Sequence, residues 1–266
     1  MVLSSKNLTF VISIYFMGKK ISATLITLNE EKNIAAAIKS LHWVDEIIVV
    51  DAFSSDNTVE IAKKLGAKVY TNSWSGYGQQ KNFAHSKATH PWVLNIDADE
   101  RVTQILATEI KEIMQNPTSV DGYYISRKTF FLGKWIKFGG WFPNYTLRLS
   151  KRSCSSWTEP HIHETLTVNG ITKKLSASLY HYTFTDINDQ VLTNLKYSQF
   201  GYKTLLSKKV KPSLVNLILK PIGKFFETYF LKRGFLDGIP GFIISVNASY
   251  SMFLKYSYYY EETKRK

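Results

Sequence analysis

Asp97-Ala98-Asp99 sets two carboxylates at alternate positions directly after an apolar run, Trp92 to Ile96. Such a pair offers hard oxygen ligands of the kind that Mg²⁺ or Mn²⁺ takes. A cation held there would stabilise the negative charge that develops on a diphosphate when a bond to it breaks. An Asp-x-Asp is common by chance, and a solvated strand end or a helix cap explains it equally well in isolation. Its context carries the argument: Asp51 also closes a β-branched run, Ile47-Ile48-Val49-Val50, so acidic groups stand at the ends of two separate strands.

The elements that must position these groups follow from the pattern around them. An apolar run from Ile21 through Leu28 reads as a strand, with Asn29 as an N-cap for a helix carrying Ile34, Ile38 and Leu41 at helical spacing. The Ser54-Ser55-Asp56-Asn57 cluster ends the next strand; Asn57 and Glu60 match a helix start, and Gly66 supplies its stop. Strands at Ala67 to Tyr70 and Trp92 to Ile96 follow, and Thr103 caps the next helix. Strands alternating with helices at this spacing predict βαβ units: an α/β fold with a mostly parallel, Rossmann-like sheet flanked by helices. Ligands of such sheets bind beyond the carboxyl ends of the strands, where Asp51 and Asp97 stand. After Asn116 the pattern changes. Gly122 to Phe131 and Ile162 to Val168 read as strands, separated by an aromatic and Gly-rich stretch, Trp135 to Tyr145. The chain reads as helical from about Asp186.

Composition bounds the class. A chain of 266 residues with 44% hydrophobic and 14% aromatic content can bury one sizeable core plus an appendage. A single cysteine, Cys154, cannot form an internal disulfide, and no cleavable leader pattern is present, which fits a reducing cytoplasm. A net charge of +13 attracts polyanions: nucleic acid, nucleotide phosphates or an anionic lipid surface. No helix-turn-helix, zinc-knuckle or RNA-stacking signature accompanies the charge, which argues against nucleic acid. A nucleotidyltransferase would need a glycine-rich phosphate loop that Gly139-Gly140 does not supply.

Thr27-Leu28-Asn29-Glu30, then Val49-Val50-Asp51 with Ser54, Asp56 and Thr58, then Asp97-Ala98-Asp99-Glu100 together resemble the family 2 glycosyltransferases. Gly78-Gln79-Gln80-Lys81-Asn82, Asn144-Tyr145 with Arg148, and His163-Glu164 extend the likeness toward bacterial lipopolysaccharide core glucosyltransferases, over roughly residues 20–260. The resemblance implies a GT-A fold. Thr27, Asn29, Glu30 and Asp51 would surround the nucleoside; Asp97, Ala98 and Asp99 would lie at the metal and diphosphate, with Lys81 near the phosphates. The chemistry agrees, because Asp51 can accept hydrogen bonds from base or ribose and Lys81 suits a pyrophosphate. Their bland alternatives are a turn residue and an exposed helix lysine. The implied activity moves a hexose, glucose from UDP-glucose, to an inner-core sugar with inversion, or acts on a polyprenyl phosphate or another glycan. The implied domains are an extension over residues 1–18, a GT-A catalytic domain over 19–186 and a basic helical region over 187–266.

An inverting transfer needs a base on the acceptor side of the sugar. Glu164 is the candidate, with Glu159 as its rival and a structural role for the whole segment as the third reading. In a regular strand His163 and Glu164 would face opposite ways; a loop would let His163 contact metal or phosphate beside the base. Arg148, in the alternating run Leu147-Arg148-Leu149, reads as a salt-bridged strand residue or an anion contact. Trp135, Phe138, Trp141 and Phe142 read as core or as a platform for sugar rings. Toward the C-terminus, residues 203–233 carry eight basic residues against Glu227 alone, and Leu214, Leu217, Ile218, Phe225 and Tyr229 recur near helical spacing around Pro221, which is expected to bend or break the run. Gly238 to Leu254 has no charged residue but is too short and too polar to cross a bilayer. Amphipathic helices lying on an anionic membrane surface, at the cytoplasmic face and beside a lipid-linked saccharide acceptor, are the expectation; packing onto the catalytic domain is the alternative.

Overall fold

The computed structural model describes residues 19–116, 118–159, 164–208 and 213–265. The extension over residues 1–18, the first half of the expected 162–168 strand and the candidate ligand His163 lie outside the described residues. The chain divides into two compact units, one running to Ser126 and resuming over Tyr145–Tyr180, the other comprising Arg127–Asn144 and His181–Lys266.

The first unit begins with β1 (Ile21–Thr27), α1 (Glu31–Lys39), β2 (Glu46–Asp51), α2 (Thr58–Lys64), β3 (Lys68–Thr71), α3 (Tyr77–Lys87) and β4 (Trp92–Asn95). The chain continues with β5 (Glu100–Arg101), α4 (Gln104–Gln115), β6 (Gly122–Phe131), whose end runs into the second unit and pairs there with β7 (Lys134–Trp135), then β8 (Asn144–Lys151), β9 (Ser155–Trp157), β10 (Leu166–Val168) and β11 (Thr172–His181). Among the described residues the sheet order is β3-β2-β1-β4-β8-β6-β11-β5. β1, β2, β3 and β4 run parallel, and β8 joins β4 antiparallel. The short β9 and β10 pair with each other instead.

Burial on both faces explains the near-continuous apolar strands. Successive residues of β2 point to opposite sides: Val49 packs with Ile34, Ile38 and Leu41, whereas Ile48 and Val50 pack with Ala84 of α3 and with Ala88 just after it. This is the alternation that a sheet sandwiched between helices requires.

Several local expectations shift. Thr103 caps α4 as expected, its hydroxyl accepting from the Leu106 N–H at 3.2 Å. Asn29 does not cap α1: it adopts φ 57°, and its side chain accepts from the Ser55 N–H at 2.8 Å. A short polar side chain that bonds locally tolerates this left-handed conformation. Asp56 takes over the cap from across the cleft, accepting from the Glu31 N–H at 3.1 Å. Within the expected 162–168 strand, only Leu166–Val168 forms one among the described residues.

The second unit holds α5 (Ile187–Ser207), α6 (Leu214–Phe226), a π-turn over Glu227–Leu231, a 3₁₀ turn over Gly234–Asp237 and α7 (Ile239–Arg265). Pro221 does not end α6; it is the helix's buried residue, and its carbonyl accepts from Ser249 Oγ of α7 at 2.8 Å. Packing against α7 holds the helix together where a proline removes one internal hydrogen bond. The expected aromatic platform is partly core: Trp141 packs on Phe131 and Phe184, with centroids 5.9 and 5.7 Å away.

Candidate active site

The site is built where β1, β2 and β4 end. Thr27 and Asp51 are register partners on adjacent parallel strands, and Thr27 Oγ1 donates to Asp51 Oδ1 at 2.9 Å. Asp51 is fully buried and also receives the Ser54 N–H at 2.7 Å and the Ser54 hydroxyl at 2.5 Å. These bonds turn the chain after β2 and carry the loop to β1's exit, where the Asn29 N–H donates to Ser54 Oγ at 2.7 Å and the Glu30 N–H to Thr58 Oγ1 at 2.8 Å. The expected nucleoside residues Thr27, Asn29, Glu30 and Asp51 thus form one continuous wall. Asp51 is its internal brace, while Asn29 and Glu30 line the surface.

Glu30 ties this wall to the aspartate motif. Burial, joined by the negative charges of Asp99 and Asp56, raises its carboxyl above the ordinary value against a hydrogen bond from Asn33. Asp99 is half-buried, and Ala98 between the two aspartates is buried. The hairpin holding them is fastened from below: the Asp97 N–H donates to Glu100 Oε2 at 2.9 Å, and Arg101 donates to the Ala98 carbonyl at 2.7 Å.

Two cations grip Asp97 from opposite sides. Arg148 of β8, only 3% exposed, donates from one nitrogen to Asp97 Oδ2 at 2.5 Å and to the fully buried Glu100 at 2.6 Å. Burial alone would weaken its charge, but those two carboxylates more than offset this and raise the guanidinium above its usual value. Lys81 of α3 stands 3.3 Å from Asp97 Oδ1 and donates to Glu164 Oε1 at 2.8 Å. Lys81 also lies over the Trp157 ring at 4.4 Å, and the Trp157 indole N–H is anchored on Asn95 Oδ1 at 3.2 Å.

The structure therefore brings Lys81, Asp97, Arg148 and Glu164 into one ionic chain, with Asp99 beside Glu30 at its open end. Glu159 sits elsewhere, accepting from Asn82 Nδ2 at 2.8 Å. Gly78 lets α3 approach this segment: a Cβ there would fall 2.2 Å from the Thr158 carbonyl oxygen, so any side chain would push Lys81 away. Three supports escaped the sequence reading: Trp157, Asn95 and Glu100 in its buried role. Only Glu100 had a signal, its adjacency to the aspartates.

Asp97 and Asp99 supply hard carboxylate oxygens, and Asp99 adds to the negative charge around Glu30, so these residue types fit a divalent metal. No group of three or more His, Cys, Asp or Glu forms a ready cage among the described residues.

Against known proteins, the profile described as Glycosyl transferase family 2 matches residues 22–169. The chain belongs to glycosyltransferase family 2. It is 37% identical over 250 residues to an uncharacterised glycosyltransferase of Rickettsia typhi, covering 89% of this chain and 85% of the relative. It is 27% identical over 241 residues to the lipopolysaccharide core biosynthesis glycosyltransferase LpsC of Rhizobium meliloti, covering 88% and 89%. Among solved structures, the fold matches a mannosyltransferase from Pyrobaculum calidifontis, in complex with GDP-Man and Mn²⁺, with a TM-score of 0.52 at 12% identity over 90% of this chain and 88% of that one. The family 2 chain is thus a glycosyltransferase with a GT-A fold.

Proposed function

We propose that this glycosyltransferase moves a hexose, glucose from UDP-glucose, onto a lipopolysaccharide inner-core sugar with inversion, working at the cytoplasmic face of the membrane on a lipid-linked acceptor. The observation that carries the reading is the ionic chain from Arg148 through Asp97 and Lys81 to Glu164, opening beside Asp99 and Glu30 at the carboxyl ends of parallel strands. The LpsC likeness supports the acceptor class.

In this reading Asp97 and Asp99 would hold Mg²⁺ or Mn²⁺, which would supply positive charge to offset that of the leaving diphosphate. Asn29 and Glu30 face the nucleoside, and Asp51 fixes their loop. Lys81 shares its charge between the aspartate and Glu164; it orients the Glu164 carboxylate toward the acceptor hydroxyl, whose proton Glu164 takes. Arg148 and Glu100 hold Asp97 in place from the buried side. His163, outside the described residues, remains a candidate for the metal.

Purified protein incubated with a panel of nucleotide sugars and Mn²⁺ is expected to release nucleotide fastest from UDP-glucose, and a panel without metal-dependent release overturns the reading. E164Q is expected to keep donor affinity while turnover onto acceptor falls by roughly 10²- to 10⁴-fold, the usual worth of a general base. Undiminished turnover removes Glu164 from that role.

A further inference from the structure

The second unit carries a face that the catalytic reading leaves unused. α6 buries one of its thirteen residues, Pro221. Leu214, Val215, Ile218, Leu219, Ile222 and Phe226 are all exposed, and their spacing puts them on one stripe. Large apolar side chains are exposed in the adjoining turns as well, Leu231 at 80% and Ile239 at 75%, and along α7 at Phe242, Val246, Tyr250 and Phe253, again at helical spacing. Soluble surfaces rarely leave so many large apolar side chains contiguous unless something covers them.

The face is rigid. Phe225 and Tyr229 close on Phe242 with centroids 6.0 and 5.6 Å away, which locks α6, the π-turn and the start of α7 together. Lys220, Lys232 and Arg233 are exposed alongside it. Of the acids in these turns, Glu227 is paired with Lys224 at 3.0 Å and Lys232 at 2.5 Å, and Asp237 is buried. An apolar stripe bordered by more cations than acids complements a surface with an oily interior and anionic headgroups, and no helix among the described residues is long and apolar enough to cross a membrane.

We propose that the face formed by α6, the turns and the first half of α7 embeds in the headgroup region of an anionic bilayer, lying on it without spanning it. This deepens the proposed function, because it names the surface that would bring the enzyme to a lipid-linked acceptor. Asp237 extends the consequence. It is buried and accepts from the Lys137 N–H at 3.0 Å and the Phe138 N–H at 2.8 Å, while the Gly139 N–H donates to the Lys232 carbonyl at 2.9 Å. The aromatic loop beginning at Trp135 is thereby fastened to the same turns that would sit at the lipid surface.

The test is sedimentation of the full chain with vesicles of mixed phosphatidylcholine and phosphatidylglycerol, or phosphatidylcholine alone, at low and high salt, with nucleotide release measured on the same preparation. Binding is expected to mixed vesicles and to weaken with salt. The triple variant K220E/K232E/R233E is expected to partition of order a hundredfold more weakly, since each cation near an anionic surface contributes about 1 kcal/mol. L219D/I222D/F226D is expected to lose binding while its circular dichroism and nucleotide release stay as in the parent. Retained binding by the aspartate variant overturns the proposal. So does a dimer in light scattering that the same variant dissolves, without vesicle binding, because the face would then serve a second copy. Vesicle binding without nucleotide release leaves the docking face standing and refutes the proposed donor and its metal dependence; release without vesicle binding does the reverse.

Discussion

The parallel sheet buries carboxylates at both of its ends, and it treats them in opposite ways. At the amino end of β2, Glu46 is buried and receives Ser22 Oγ at 2.5 Å, Lys68 Nζ at 2.8 Å, and both the N–H and the hydroxyl of Thr89 at 3.0 Å. Burial pushes its carboxyl up, but the hydrogen bonds from Lys68, Ser22 and Thr89 outweigh this and hold it at about 2. At the carboxyl end, Asp97 and Glu100 share one Arg148 nitrogen, Lys81 divides itself between Asp97 and Glu164, and the buried Arg148 Nε finds no hydrogen-bond partner. Three neutral donors and one lysine saturate the first cluster, all converging on a single carboxylate. The second is held mainly by charges that oppose one another, so a phosphate or a metal entering it meets groups able to exchange partners. Buried polar groups that are fully satisfied rigidify a core, whereas shared ones are where ligand chemistry finds its place.

Breaking the carboxyl-end cluster is expected to have the larger effect on stability. R148M removes the cation between two carboxylates, one of them fully buried, and should destabilise by about 3–5 kcal/mol, as loss of one partner from a buried ion pair does. Urea unfolding followed by tryptophan fluorescence measures it. A loss below about 1 kcal/mol would mean that Arg148 is not the partner that makes the burial of Glu100 tolerable.

The amino end gives a smaller and pH-dependent effect. A folded-state pKa held below the unfolded one contributes stability above the unfolded value and loses it as pH falls toward the folded value. E46Q is therefore expected to cost about 2 kcal/mol at neutral pH, with the difference from the parent shrinking as pH drops from about 4.5 toward about 2. Unfolding midpoints of both proteins across that window check it; a pH-independent difference would show that shape, not charge, makes Glu46 matter.

The same contrast explains what was legible in the sequence. The frame from β1 to β4 could be read because strands buried on both faces must be apolar throughout, and Ile47 to Val50 shows that plainly. β11 escaped notice because only Leu175 and Leu179 along it are buried, too sparse for an alternating signal. Asp51 and the Asp97/Asp99 pair were visible as acids at strand ends, since strand periodicity places them. Arg148 was visible as either a paired strand residue or an anion contact, but not as the brace behind Asp97, because that depends on β8 pairing antiparallel with β4. Trp157 and Asn95 were not visible at all. They join through a side-chain bond spanning 62 positions, and nothing local in either segment reports it.

The central claim is that the open end of the charged cluster binds a nucleoside diphosphate through a cation held by Asp99, and titration calorimetry tests it most directly. UDP titrated into the parent protein is expected to bind when Mn²⁺ is present and to bind far more weakly without it. D99N is expected to lose the metal-dependent binding while keeping the circular dichroism spectrum of the parent. UDP binding that is indifferent to Mn²⁺ and equally strong in D99N would contradict the account.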